Sequence, residues 1–436
     1  MSEIKTRAEH SAAKPAAFGA DLDLGSFSRQ GGAWDYDPDY RRFEPEERSR
    51  LLKAGIELTD EEHAGTFLQA DARVVHCRAN QEGVEVLPIT EALERHEWLA
   101  DLLWRLVPVD ADKYTAQAEL ALDNGYFVRA LAGSRVQDPV ETCLYLKTDR
   151  FSQQVHNVVI VEPGASLHII TGCTTHPGVR SGLHIGVSEF YVRRGGSLTF
   201  TMIHNWAEDI HVRPRTAVLV EEGGRFISDY VLLKPVKSVQ MYPTVTLAGA
   251  EAMARLQSIF IAHPECELDV GGRVILAAPQ TRAEVIARSL STGGRAVSRG
   301  HLLGQVPEVK AHLECRGLIL APHGIIYAVP ELEGQAAGVD MSHEAAGGAL
   351  PRKKLNTSRP GDWTKMKRYP PLSGGFSPSK LKACLLLWKR NCKRPSRRPG
   401  RGSEVGGGEE RSRDSFPFAV SNEVFSHKEL KIYRRL

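Results

Sequence analysis

Short runs of branched and aromatic residues, each followed by a glycine turn, dominate the middle of the chain. Between about residues 127 and 326, Val158–Val161 precedes Pro163-Gly164, and Ala217–Val220 precedes Gly223-Gly224. Phe190–Val192 is likewise followed by Gly195-Gly196, and further glycine pairs occur at Gly271-Gly272 and Gly293-Gly294. Branched residues suit extended strands, glycine suits tight turns, and no long helical pattern lies between them. The segment therefore indicates many short strands in an all-β body.

The turn glycines recur at irregular gaps of a few tens of residues. This loose period favours a β-helix, in which each coil buries its inner face by stacking on its neighbours. We therefore predict a mainly β fold with a β-helix core domain over residues 127–346. A jelly roll or a cupin barrel is the main alternative.

The chain before residue 127 has a different pattern. In Ile89–Leu106 the apolar residues recur at helical spacing and form a stripe of Leu93, Leu99, Leu102, Leu103 and Leu106. We predict a mixed, mostly helical region over residues 37–126 and a flexible N-terminus over residues 1–36. The chain contains no apolar run long enough to span a membrane and no secretory signal at its start, so a cytoplasmic location without membrane contact is expected.

The chain after Ala346 changes character again. Pro351–Arg401 contains 16 lysines or arginines against one acid, Asp362, and it is interrupted repeatedly by proline and glycine. Such a segment buries too little apolar area to order itself, so residues 347–436 are predicted to form a basic, disordered tail. Because the excess of positive over negative charge is confined to this tail, a nucleic-acid surface on the body is not expected. A tail that acts as a nucleic-acid arm is a weaker alternative.

Three side chains that could bind iron lie close to the start of this tail. Cys315 offers a soft thiolate, and the pair His343-Glu344 offers an imidazole and a carboxylate. The residues alone also allow a structural interpretation, in which Cys315 is a small buried side chain and His343-Glu344 opens a helix. The seven cysteines are scattered and odd in number, which argues against a disulfide framework.

A second set of candidate ligands is histidine-rich. It comprises His156, His168, His176, His184, His204 and His211. These residues would suit a β-rich metal or carbohydrate enzyme of cupin or β-helix type, which is the alternative function. They lack a compact H-x-H plus glutamate arrangement, so roles in strand packing are favoured. The chain also lacks a phosphate-binding G-x-x-x-x-G-K-[ST] loop, so any ATP would be hydrolysed by a partner.

Four segments in order resemble the SufB/SufD family of iron-sulfur cluster assembly proteins. They are Val155–Glu162 with Leu167–Cys173, His204–Trp206, Ala311–Leu320 and Met341–Ala346. The resemblance covers roughly Leu51 to Ala346 and implies a right-handed parallel β-helix flanked by helical segments. It implies a scaffold subunit that is not an enzyme by itself. The expected partners are a SufC-type ATPase, a SufD-like or identical subunit, and a cysteine desulfurase that donates sulfur.

The resemblance also assigns roles to individual residues. SufB-type members keep a cysteine at the position of Cys315 and a glutamate at the position of Glu344, so the chain is more similar to SufB than to SufD. This implies that Cys315 and Glu344 are ligands of a transient iron-sulfur cluster, with His343 as a ligand or a proton-handling neighbour. Cys315 could also carry sulfur as a persulfide, and the family allows a reduced flavin. The mid-helix thiol of some longer SufB proteins is not evident near Leu219-Val220.

The tail has a second explanation. In the family, the segment after Ser-His-Glu-Ala-Ala continues into an acidic helical domain that docks the ATPase. A shifted reading frame forces Asp across Trp363-Thr364 and Glu across Met366-Lys367, and it permits an acidic amphipathic pattern around them. We therefore predict that a frameshift, in the gene or in its sequencing, replaced the native helical domain from near Ala346.

Overall fold

The computed structural model describes residues 2–59 and 63–349. Its α-helices are α1 (Ser2–Ser11), α2 (Pro45–Lys53), α3 (Ile89–Arg95) and α4 (Lys113–Leu120), and short 3-10 helices span Leu24–Ser26 and Glu97–Asp101. No helix in this part of the chain has the length and hydropathy needed to cross a membrane. The predicted tail was placed at residues 347–436, but residues 347–349 belong to the last strand, Val339–Ala349. The remainder, from residue 350 onward, with its predicted disorder and frameshift, lies outside the described residues.

Twenty strands make up most of the described chain. They are β1 (Gly65–Ala70), β2 (Arg73–Ala79), β3 (Val84–Pro88), β4 (Tyr126–Ala130), β5 (Val140–Leu146), β6 (Ser152–Val161), β7 (Ser166–Thr175), β8 (Ser181–Val192), β9 (Ser197–Asn205), β10 (Asp209–Val220), β11 (Arg225–Leu232), β12 (Ser238–Met241), β13 (Thr244–Leu247), β14 (Met253–Ala262), β15 (Glu267–Leu276), β16 (Arg282–Ser291), β17 (Arg295–Gly304), β18 (Val309–Ile319), β19 (Ile325–Gly334) and β20 (Val339–Ala349).

These strands alternate between two sheets and form a parallel β-helix of about eight turns. The first sheet has the order β2-β1-β5-β7-β9-β11-β14-β16-β18-β20, and the second has the order β19-β17-β15-β12-β10-β8-β6-β4-β3, with β13 beside β10 and β15. Within the described residues, pairing is antiparallel only between β1 and β2 and between β3 and β4. The predicted β-helix is confirmed, and the jelly-roll alternative, which needs antiparallel strands, is wrong.

Most of the predicted turn glycines lie where successive coils reverse direction. Gly164, Gly195 and Gly223 have positive φ angles of 69°, 65° and 62°, which glycine adopts without steric cost. They also stack on one another, because the Gly195 N–H donates to the carbonyl of the turn that contains Gly223. The repeated turn signal in the sequence therefore reflects one column of turns along the β-helix.

Gly271-Gly272 is different, because it lies within β15 and not in a turn. A Cβ atom at Gly271 would lie 2.5 Å from the Cβ of Arg299 on the neighbouring β17, and a Cβ at Gly272 would lie 2.8 Å from the Leu256 side chain. The prediction of a turn here was wrong. Glycine at these positions allows close approach of neighbouring groups, which sequence alone does not distinguish from a turn.

The N-terminal segment, for which the sequence predicts flexibility, packs against the outer face of the second sheet. Its helix α1 buries Ala8, and residues 12–29 follow as an extended N-terminal strap. The ring of Phe18 lies 4.3 Å from the guanidinium of Arg299, and the carbonyl of Ala20 accepts a hydrogen bond from the buried Arg213. These partners are distant in sequence, so the local composition of the N-terminal segment could not reveal them.

The region over residues 37–126 contains the strands β1, β2 and β3 as well as helices. The β-helix already begins here, since β1 pairs in parallel with β5. The predicted helical stripe over Ile89–Leu106 is divided, because α3 ends at Arg95 and a separate 3-10 helix follows. The stripe still packs as one surface, since buried Leu99 and Leu102 join a cluster with Tyr191.

Candidate functional site

Cys315 lies on β18, near the end of the β-helix formed by the edge strands β19 and β20. Along β18, Ala311, Leu313 and Cys315 are buried, whereas the intervening residues are partly exposed. Because side chains alternate across a strand, the thiol points into the interior of the β-helix. Only 3% of Cys315 is exposed.

A cavity of about 340 Å³ adjoins the thiol, and we call it the Cys315 chamber. Its walls are formed by Ser289, Ser298, Cys315, Arg316, Gly317, Ile319, Ile326, Ala328, Ala345, Ala346, Gly347 and Gly348. Most of these residues are glycine, alanine or serine, so the chamber exists because the interior side chains here are small. The thiol therefore borders open space, although it is almost fully buried.

The surroundings of the thiol favour its protonated form. Burial raises the pKa of Cys315, while the Ser298 hydroxyl and the positive charge of Arg288 offset only part of that effect. The Ser298 hydroxyl donates to the sulfur at 3.9 Å from the opposite sheet. A buried neutral thiol is a poor nucleophile, but a metal ion can displace its proton on binding.

His343 and Glu344 lie on strand β20, not at the start of a helix. In the parallel register, His343 is opposite Leu313 and Ala345 is opposite Cys315. His343 therefore lies on the same inner face as Cys315. It is diagonal to Cys315 across the two strands, two residues before the position directly opposite the thiol. Its Nε2 atom is buried and has no hydrogen-bond partner among the described residues.

Glu344 is on the opposite, outer face of the same strand. It is opposite Glu314, and its carboxylate lies 3.6 Å from the guanidinium of Arg316. Arg316 also forms an ion pair with Glu314. Glu314 forms a second ion pair, with Arg288, at 2.7 Å. The three predicted ligands are thus divided between two faces. Within the part of the chain that the structure describes, no group of three or more His, Cys, Asp or Glu residues could hold a metal.

The histidine set does not form a metal centre either. The three buried histidines bind ordinary structural partners, with His156 to Glu189 at 2.8 Å, His184 to Gln153 at 2.9 Å and His204 to Tyr230 at 3.0 Å. The three half-buried ones do the same, with His168 to Thr201 at 3.1 Å and His211 to Ser238 at 2.7 Å, while His176 accepts from Gly178 N–H. The alternative of a metal or carbohydrate enzyme built on these residues has no geometric support.

Comparison with known proteins identifies the family. A protein-family model described as the SUF system FeS cluster assembly SufBD core domain matches residues 144–355. An iron-sulfur cluster assembly SufBD family protein of Methanothermobacter thermautotrophicus (strain Winter) is 42% identical over 361 residues, which cover 81% of this chain and 88% of the relative. The chain belongs to the SufBD family. A SufBD family protein of Archaeoglobus fulgidus is 48% identical over 304 residues, 70% of this chain and 82% of the relative. SufB of Bacillus subtilis is 25% identical over 328 residues, 73% of this chain and 69% of the relative.

The sequence did not reveal the rest of the chamber of this SufBD protein. Ser298 is on β17 of the second sheet, and Ser289 is on β16 of the first, so neither adjoins Cys315 in the chain. Gly317 and Gly347 are paired across β18 and β20. The one available signal was the run of small residues at 345–349, just after His343 and Glu344.

The buried histidines of this SufBD protein predict sensitivity to acid. Burial lowers the pKa of His184 to about 3, whereas an exposed histidine has a pKa of 6.5. The unfolded chain therefore binds more protons between these values, so stability is present above pH 6.5 and is lost as the pH falls through this window. Between about pH 7 and about pH 4.5, His184 alone should remove about 2.5 kcal/mol from the free energy of unfolding.

Urea denaturation at both pH values tests this expectation. His184→Gln should reduce the difference in unfolding free energy between the two pH values by that amount, whatever it does to stability at neutral pH. His10 on α1 is exposed, so His10→Gln provides the control and should leave the difference unchanged. Identical pH dependence in His184→Gln and the unmodified chain would contradict the assignment.

Proposed function

We propose that this SufBD protein is a scaffold subunit on which an iron-sulfur cluster is assembled at the Cys315 chamber, and that it is not an enzyme by itself. The observation that carries the proposal is the position of Cys315. Of the five described cysteines, all free thiols, it is the one whose side chain borders this chamber. Thiolate is the ligand that iron-sulfur clusters use most, and a cavity lined by small residues provides room for the cargo.

In this proposal Cys315 supplies the thiolate and His343 a second ligand on the same inner face. Imidazole and carboxylate hold iron less tightly than thiolate, which suits a scaffold that must release its product. Glu344 lies on the outer face, so it would replace His343 as the second ligand only after a change in the register of edge strand β20, because the two neighbours always point to opposite faces. A slip of one residue moves side chains to the other face, and edge strands are the least constrained. Sulfur would arrive when the Cys315 thiol attacks a persulfide on the donor desulfurase, which forms a persulfide on Cys315 and leaves a thiol on the donor. Its conversion to sulfide takes two electrons, for which reduced flavin is the proposed source.

A second subunit would cover this end of the β-helix. The edge strands β19 and β20 have no further strand beside them among the described residues, and β19 exposes Ile325, Tyr327 and Leu332. Unpaired strand edges with exposed apolar side chains are typical of protein interfaces. We propose that the partner is a SufD-like chain or an identical subunit, which would supply the ligands that a single chain lacks.

The proposal is tested by anaerobic incubation of the purified chain with iron and sulfide salts. We expect stoichiometric binding of both elements and a visible absorption band from charge transfer between thiolate and iron. A chain that remains colourless and binds no sulfide, although it is folded, would contradict the scaffold function. The addition of reduced flavin to a parallel sample tests whether flavin takes part.

We further propose that a SufC-type ATPase supplies energy and that a cysteine desulfurase supplies sulfur. The ATPase would dock on the helical domain that a restored reading frame encodes after Ala346. We expect the ATPase to co-purify with the frame-restored chain and not with the chain that carries the basic tail. Recovery of equal amounts of ATPase with both chains would contradict the frameshift hypothesis. Free thiols at all five described cysteines support a reducing compartment, so the proposed location is the cytoplasm.

A further inference from the structure

Arg213 is a completely buried arginine on the outer face of β10. Only 1% of it is exposed, and it is among the largest side chains that are completely buried. Its Nη1 donates to the Val212 carbonyl and to the Ser238 hydroxyl, both at 3.0 Å, and its Nη2 donates to the Ala20 carbonyl of the N-terminal strap at 3.2 Å. Its Nε is buried and has no hydrogen-bond partner among the described residues.

The charge of Arg213 lacks a direct counter-charge. Among the described residues, no carboxylate lies within ion-pair distance of its guanidinium. Asp21 attracts the guanidinium from farther away, but it pairs with Lys113 at 2.7 Å and its side chain is 57% exposed. Burial lowers the pKa of Arg213, yet arginine does not lose its proton in proteins. An unpaired buried charge is destabilising, so Arg213 has the properties of a receptor for an anion.

Arg215 provides a second guanidinium two residues further along the same face, and we call Arg213 and Arg215 the arginine pair. The Nε of Arg215 pairs with Asp112 at 2.8 Å, and its Nη1 donates to main-chain carbonyls. Its Nη2 is buried and has no partner within the described part of the chain. The two guanidinium groups lie 5.5 and 5.2 Å from the centre of the same Tyr114 ring. Two N–H donors without acceptors are therefore present in one small region.

The N-terminal strap covers the arginine pair. Its Leu22 N–H donates to the Tyr114 hydroxyl at 3.2 Å. Its Asp21 carboxylate forms the ion pair with Lys113. None of the strap residues 12–29 is buried, although several are half-buried. A segment that buries so little apolar area is among the first parts of a protein to open.

Opening of the strap changes the charge around the arginine pair. Three cations lie against the Tyr114 ring and two acids pair with them: Arg213, Arg215 and Lys113, with Asp112 and Asp21. Three cations and two acids give a net charge of +1, which becomes +2 when Asp21 leaves with the strap. A phosphate group carries about −1.5 to −2 charges at neutral pH, and its oxygens accept the N–H donors of a guanidinium fork. The open site therefore matches a phosphate group in charge and in donors.

We propose that the arginine pair binds a phosphate group on the outer face of the second sheet, and that the N-terminal strap is a cover that opens when the phosphate binds. The Tyr114 hydroxyl, released from Leu22, supplies a further donor. None of these residues lines the Cys315 chamber, so the site does not depend on the proposed scaffold function. Because the strap and the phosphate exclude each other, a change that loosens the strap strengthens phosphate binding.

Isothermal titration calorimetry of the full chain with inorganic phosphate, at an ionic strength held constant with sodium chloride, tests the site. Arg213→Gln should weaken phosphate binding by about tenfold or more, because it removes the buried guanidinium. Arg193→Gln is the matched control, since the Arg193 guanidinium also lies 5.3 Å from a tyrosine ring, that of Tyr191, but pairs with the partly exposed Glu221. This variant should bind phosphate like the unmodified chain. Equal binding by Arg213→Gln and the unmodified chain would overturn the proposal.

The role of the strap is tested at Phe18, which lies outside the arginine pair. The Phe18 ring packs on Tyr242 at 5.3 Å and on the Arg299 guanidinium at 4.3 Å. Phe18→Ala removes this anchor, so the strap should open more often and phosphate should bind about tenfold more tightly than to the unmodified chain. Absence of phosphate binding in both chains would exclude the site, and equal affinities would show that the strap is not its cover.

Hydrogen exchange of the unmodified chain provides a measurement that needs no variant. Phosphate should accelerate exchange in the strap, where Tyr114 holds the Leu22 N–H, relative to chloride at the same ionic strength. Peptides from β6 should exchange at the same rate in both salts. Glycerol 2-phosphate in a parallel sample distinguishes the source of the group: acceleration by both compounds shows that the site admits an ester, and acceleration by inorganic phosphate alone identifies the free ion. Unchanged exchange of the strap with both compounds would overturn the proposal.

Discussion

Replacing Cys315 by serine is expected to abolish the charge-transfer absorption that the chain develops with iron and sulfide. Serine has nearly the same size and fits the same buried position, so the chamber should persist. Its hydroxyl is a hard donor that keeps its proton near neutral pH, whereas a thiol loses its proton when iron binds. Sulfide binding should fall to the background of a chain without a site.

Cys266 provides the matched control for this experiment. It is also buried, with 4% exposure, and burial raises the pKa of its thiol as it does for Cys315. It does not border the Cys315 chamber. Cys266→Ser should therefore leave the absorption and the sulfide content unchanged. An unchanged band in Cys315→Ser, or a lost band in Cys266→Ser alone, would remove Cys315 from the proposed site.

Replacing Glu189 by alanine is expected to reduce the free energy of unfolding by about 3–5 kcal/mol, because each buried donor left without its acceptor costs about 1–3 kcal/mol. The Glu189 carboxylate is completely buried and pairs with His156 at 2.8 Å. It also accepts hydrogen bonds from the backbone N–H groups of Trp104, Leu106 and Val107 at 2.6, 2.6 and 3.0 Å. Alanine would leave these donors without partners and release the segment from the second sheet.

Urea denaturation followed by circular dichroism measures this loss. Glu221 provides the comparison, because it is on the neighbouring coil, pairs with Arg193 at 2.7 Å and has a side chain that is 36% exposed. Solvent screens that pair, so Glu221→Ala should cost less than about 1 kcal/mol. Similar losses in the two variants would show that Glu189 is not the anchor of the 104–107 segment.

The strands were the most predictable part of the fold. Val158–Val161 and Ala217–Val220 lie within β6 and β10, as the branched residues and the following turn glycines predict. Both signals are local, because strand propensity and the positive φ of a turn act within a few residues. The Gly271-Gly272 pair shows the limit of this reasoning, because a side chain at either position would clash with residues of neighbouring coils.

The candidate site was predictable only in part. Cys315 and His343 could be named from residue chemistry and family resemblance, and both point to the same inner face. Glu344 could be named in the same way, but the register of β20 places it on the outer face beside Arg316. The chamber could not be predicted, because its walls come from five strands of both sheets.

The amino-acid order by itself determined the class of fold, the family and the identity of the candidate thiol. These properties follow from short-range propensities and from motifs whose residues are close in the chain. Only the tertiary structure decided which candidate ligands share a face, where space remains around the sulfur, and that the N-terminal strap is packed. The physical reason is that side-chain direction and free volume depend on how the strands pair and stack, and such contacts join residues tens of positions apart.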